Sequence, residues 1–236
     1  MRRFLRNNGL SLAMFGIFLV TLLGLVGTGF RVANDERASH GEPEIGLSAY
    51  LTSGHFVEAV FENWESEFLQ MGAFVFLTVY LFQKNSPESR DPDNLEEVEG
   101  GVRWDREAVP WPVRRGGLAL RVYEHSLSLA LLALFVGSFA LHVYGGAREA
   151  SEEARSHGQS GVSYLDFLGS AELWFQSFQN WQSEFLSIGV LVVLAIFLRE
   201  KNSPESKPVA TVVSPPEEQR RPTRSSLSPG ERGHLE

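Results

Sequence analysis

The chain contains no cysteine. Disulfides, thiolate metal sites, iron–sulfur clusters and cysteine nucleophiles are thereby excluded, while the compartment stays open. A net charge of -8, with no basic patch carrying interleaved aromatics, argues against a nucleic-acid partner. Also missing are a Gly-rich phosphate loop, a Ser-His-Asp arrangement and the paired histidines of a zinc-protease helix. An enzyme reading therefore lacks a nucleophile, a metal site and a cofactor motif. The expectation is a non-enzymatic protein with no cofactor and no metal.

What the chain does have is long stretches without charge. Gly9 to Phe30 is a run of about 22 residues, or about 33 Å of helix, against a hydrocarbon core of about 30 Å. Ser126 to Ala147 is a second such run, interrupted only by His142 and Tyr144 near its end. Two shorter runs, Phe68 to Gln83 and Phe185 to Leu198, reach spanning length if each starts at an Asn-Trp pair, Asn63-Trp64 or Asn180-Trp181. Trp64 and Trp181 then serve as interface anchors at one end, with Lys84 and Lys201 at the other, and Pro87 and Pro204 stop the helices.

These four runs come as two pairs, because the sequence repeats itself 117 residues on. Asn63-Trp64-Glu65-Ser66-Glu67-Phe68-Leu69 returns as Asn180-Trp181-Gln182-Ser183-Glu184-Phe185-Leu186, and Lys84-Asn85-Ser86-Pro87-Glu88-Ser89 returns unchanged as Lys201 to Ser206. A duplication follows. The expected fold is all-α and integral to the membrane, with four transmembrane helices at about 9–30, 63–83, 126–147 and 180–199. They form two tandem helical-hairpin repeats, 1–90 and 121–207, joined by a linker at 91–120 and followed by a disordered tail at 208–236. An even number of spans per copy makes the repeats parallel, related by a pseudo-twofold axis along the membrane normal.

Arg2, Arg3 and Arg6 precede the first run, with no acid before Asp35. Basic residues also dominate the second half of the linker and recur in the tail, so both termini are expected in the cytoplasm of a bacterial inner membrane. A cleaved signal peptide is the rival reading of the first run; its apolar stretch is too long, and its counterpart lies mid-chain. His40 and His157 each sit in a Ser-His-Gly triplet, where a loop turn competes with a metal or proton site.

Asn63, Ser66, Glu67 and Gln70 stand at i, i+3, i+4 and i+7, a polar stripe that Asn180, Ser183, Glu184 and Ser187 repeat. Two readings stay open. The stripes face each other as a proton or small-ion pathway around Glu67 and Glu184, or they lie at headgroup level and hold the helices together. The leading expectation is a structural or envelope-associated scaffold in contact with the lipid bilayer, with a homo-oligomer also open.

The segments Met1 to Ser11, Tyr50 to Phe56 and Asn63 to Met71 resemble a family of uncharacterised bacterial membrane proteins known as a domain of unknown function. The resemblance covers about residues 1–207 and implies four spans. It implies no activity and no catalytic residue.

Overall fold

The computed structural model describes residues 2–90, 92 and 109–209. The acidic part of the expected linker and nearly all of the expected tail lie outside them. Among the described residues there are eight helices and no strand. Four are long: α1 (Arg2–Ser39), α3 (Gly54–Tyr80), α6 (Ser126–Ser156) and α8 (Ala171–Phe197). Four are short: α2 (Leu47–Leu51), α4 (Trp111–Arg115), α5 (Gly117–Glu124) and α7 (Tyr164–Leu168).

Three of the long helices, α1, α6 and α8, are long and apolar enough to cross a membrane. α3 is not among them, because Glu58, Glu62, Glu65 and Glu67 all fall within it. The helices also run further than the apolar stretches alone indicate. α1 and α6 continue through polar turns to Ser39 and Ser156, and α3 begins nine residues ahead of Asn63. Nothing in those turns breaks a helix, so the hydrogen-bonded ladder propagates until a glycine supplies a left-handed stop. Gly41 and Gly158 adopt φ of 73° and 71°. The bounds of α2 and α3 recur 117 residues on as those of α7 and α8, and α1 and α6 end at the same offset.

The described chain divides into two compact units. The first comprises residues 2–76 and 109–186 of the described set. Its apolar core is small: Ala147, Phe167 and Leu173, with Phe139, Val143, Ala150 and Val162 against it. Phe167 of α7 lies where a side chain at Gly146 of α6 would be, and Tyr50 of α2 lies in the same way over Gly29 of α1. At the crossing of α3 and α6 the close approach is between backbones. A Cβ at Gly145 would collide with the backbone nitrogen of Glu58, and one at Gly54 would come within 2.7 Å of the Gly145 carbonyl oxygen. Small residues let these backbones touch. Much of the remaining apolar surface points outward, and none of the apolar window of α1 is buried.

The second unit holds the ends of α3 and α8, residues 77–90, 92 and 187–209. The two Lys-Asn-Ser-Pro-Glu-Ser blocks fold into matching turns here. Asn85 and Asn202 take the left-handed conformation at φ 68° and 69°, which asparagine tolerates better than most residues. Ser89 Oγ accepts the Gln83 N–H at 2.8 Å, and Ser206 Oγ accepts the Glu200 N–H at 2.9 Å.

Candidate functional site

The first unit contains a charged core. Glu65 on α3 and His142 on α6 are both 0% exposed, and their side chains meet at 3.0 Å through Oε2 and Nδ1. Leaving either group unpaired there would be costly, so the surroundings matter. Ser177 Oγ and Trp181 Nε1, both on α8, donate to Glu65 Oε1 at 2.8 and 3.2 Å. The carboxylate thus accepts from three side chains on two other helices.

The second ring nitrogen of His142 continues the chain. His142 Nε2 stands 3.1 Å from Gln176 Oε1, and Gln176 Nε2 donates to Glu58 Oε1 at 2.9 Å. An amide oxygen only accepts, so Nε2 carries a hydrogen in this amide orientation. With Glu65 ionised, Nδ1 donates as well, and His142 is then an imidazolium paired with that carboxylate. A parallel bond runs from Asn180 Nδ2 to Glu62 Oε1 at 2.8 Å. Glu58, Glu62 and Glu65 recur at i, i+4 and i+7, one face of α3, which is why three carboxylates meet α8 in a row.

The residues singled out from sequence are placed as follows. In the α3 stripe Ser66 and Gln70 are buried, whereas Asn63 and Glu67 are exposed. Gln70 Nε2 donates to the backbone carbonyl of Glu184 at 3.1 Å, which brings the two stripes into contact. Asn63 and Ser66 bond within α3, to the Ala59 and Asn63 carbonyls, and Ser183 bonds the Asn180 carbonyl within α8. Asn180 turns instead to Glu62, Glu184 is half-buried and Ser187 is exposed. Trp181 is drawn into the Glu65 set, while Trp64 packs on Phe18 and Phe61. Lys84 and Lys201 are exposed. His40 and His157 each turn Nδ1 onto the carbonyl of the preceding turn, Glu36 and Glu153, at 3.0 Å.

Sequence reasoning missed Glu58, Glu65, Gln176 and Ser177, and it read His142 only as an interruption. The signal was present: a lone histidine in an apolar run and acids at i, i+4 and i+7 on another helix. Starting the second helix at Asn63 left Glu58 and Glu62 outside it and hid that spacing.

In the second unit, Glu88 and Glu205 occupy equivalent positions in the two matching turns and lie against each other. Burial first, and the neighbouring Glu205 carboxyl second, push Glu88 from its ordinary 4.5 up to about 7. A carboxyl raised by folding holds its proton more tightly in the folded state. Its stabilising contribution is complete below pH 4.5 and is lost as pH rises through about 7. We expect the thermal stability of the detergent-solubilised protein to fall across that interval, and Glu88→Gln to remove that part of the slope. An unchanged slope in Glu88→Gln would show the pair to be uncoupled from folding.

One family model matches residues 1–216, and its description is a domain of unknown function. No curated protein and no solved structure matches the chain.

Proposed function

From the chain's membership of the DUF6766 family, which assigns no activity, we propose that it is a non-enzymatic, polytopic membrane protein acting as a scaffold. Its two parallel helical hairpins are clasped by the buried Glu65–His142 set. The observation that carries this reading is that set itself. It ties α3 to α6 and α8, with Glu65 bonded to three side chains. Polar groups of this kind hold transmembrane helices together, at about 0.6 kcal/mol for an average interhelical hydrogen bond. α3 crosses as the fourth span, its acids shielded by α6 and α8. The recurrence of helix bounds 117 residues on supports the duplication. Both termini lie in the cytoplasm, and the lipid bilayer covers the exposed apolar faces. A pathway built on Glu67 and Glu184 has weaker support, since Glu67 is exposed.

The missing cysteines make the test clean. Single cysteines replace Glu42 and Gln159 in the two loops, and Lys84 and Lys201 beyond the other helix ends. In intact cells a membrane-impermeant thiol reagent should label the first pair and reach the second only after permeabilisation. Equal labelling of all four would end the four-span reading. Substrate turnover by the purified protein, abolished by His142→Gln, would revive an enzyme.

A further inference from the structure

Clasping helices does not account for the charge in the Glu65 set. Replacing a buried ion pair by apolar residues of similar volume is often neutral, or stabilising by about 1–4 kcal/mol. The duplication does not reproduce the set: the match to Glu65 is Gln182, and the other four matching positions are apolar. Leu25, Ala59, Val60 and Phe175 stand 117 residues from His142, Gln176, Ser177 and Glu58. The polar set belongs to one half of the symmetry only, so the hairpin architecture does not demand it.

We propose that Glu58, Gln176, His142 and Glu65 form a proton-exchange site, in which one proton resides either on His142 Nε2 or on Glu58 and the Gln176 carboxamide turns over between the two arrangements. This goes beyond the scaffold reading. Nδ1 faces a carboxylate in both arrangements and keeps its hydrogen, so only Nε2 can change. In the arrangement observed, Nε2–H donates to Gln176 Oε1, and Gln176 Nε2–H donates to ionised Glu58. In the other, the N–H bond at Nε2 is broken and an O–H bond is formed on Glu58. The carboxamide has turned by half a rotation; its NH2 donates to Nε2, and its oxygen accepts from the Glu58 hydroxyl. The summed charge of Glu58, His142 and Glu65 is the same in both.

The two changes are tied together by the amide. If Nε2 lost its proton while Glu58 stayed ionised, each amide orientation would set an acceptor against an acceptor at one end. Glu58 is half-buried, whereas His142 and Glu65 are fully enclosed, so Glu58 is the end that exchanges with water. The charged groups that bear on the site are Glu62 on α3, Glu149 on α6 and Glu172 on α8, with His55 acting on Glu149.

The test uses the full chain in lipid vesicles, with nitrogen-15 histidine NMR and infrared spectroscopy followed from about pH 5 to 9. The His142 imidazolium signal is assigned by its loss in His142→Gln. The Glu58 carboxylic-acid band is assigned by its loss in Glu58→Gln. In the unmodified protein both should disappear over one pH interval, because both report the same single proton; in Gln176→Leu the intervals should separate by about one pH unit or more. The proposal is overturned if the unmodified protein titrates in two separate intervals, if the imidazolium persists throughout, or if no Glu58 acid band accompanies it. Joint loss that survives in Gln176→Leu would overturn the role of the amide. The unmodified protein decides the main point alone, so a variant that fails to fold does not shield it. Failure here leaves the scaffold reading, judged by thiol labelling, intact.

Discussion

Glu65→Leu is expected to destabilise the detergent-solubilised protein by about 3–5 kcal/mol, the usual result of removing one member of a buried pair. The substitution leaves the imidazolium of His142 without its counter-charge, and strips Ser177 and Trp181 of the oxygen they share. His142→Leu should cost a comparable amount for the reciprocal reason. The double variant is the informative one. With neither charge buried, it should recover much of the loss, leaving mainly the unmet donors of Ser177 and Trp181 and the Gln176 oxygen. Thermal unfolding of all four proteins gives the coupling energy directly. A double variant as unstable as the sum of the single ones would show that the two side chains act separately.

Gly145→Val should be the most damaging change outside the charged set. Any Cβ at this position meets the backbone of α3 at Glu58, and backbone cannot swing aside as a flexible side chain can. Overpacking of this kind typically costs about 1–3 kcal/mol, and the extra methyls of valine place it at the upper end. A second effect follows from position. Glu58 reaches Gln176 only because α3 lies against Gly145, so pushing the helices apart should also break the 2.9 Å bond between them. In a Gly145→Ala background, Glu58→Gln should therefore cost less than in the unmodified protein, where the bond is intact. Equal costs in both backgrounds, read by thermal unfolding, would place Glu58 outside the reach of the glycine contact.

The parts of this protein that follow from local pattern could be read before any coordinates were known. Apolar runs located α1 and α6, since an uninterrupted stretch about 20 residues long has few other uses, and the repeat extended the shorter run of α8 to its Asn-Trp pair. The matching turns at Asn85 and Asn202 came from identical sequence, which folds identically in similar surroundings. The charged core was harder because its members come from three helices far apart in the chain. Glu65 and His142 are 77 positions apart, and no local period connects them. The stripe through Asn63, Ser66, Glu67 and Gln70 was real spacing, yet it straddles the edge of the buried face. Ser66 and Gln70 fall inside it and Asn63 and Glu67 outside. Spacing gives the stripe, whereas only the crossing of α3 with α6 and α8 decides which edge faces inward.

The composition of α3 bears on the order of events when the chain is made. This helix carries four acids and, unlike α1, α6 and α8, is not apolar enough to enter lipid on its own account. It is also synthesised before every residue that neutralises or bonds its carboxylates: His142, Gln176, Ser177, Asn180 and Trp181 all come later in the chain. On the four-span reading, α3 must wait at the membrane surface, or be held by the insertion machinery, until more than a hundred further residues have emerged. The second hairpin then serves the first as a built-in chaperone, and a chain truncated before α8 should leave α3 stranded outside the bilayer.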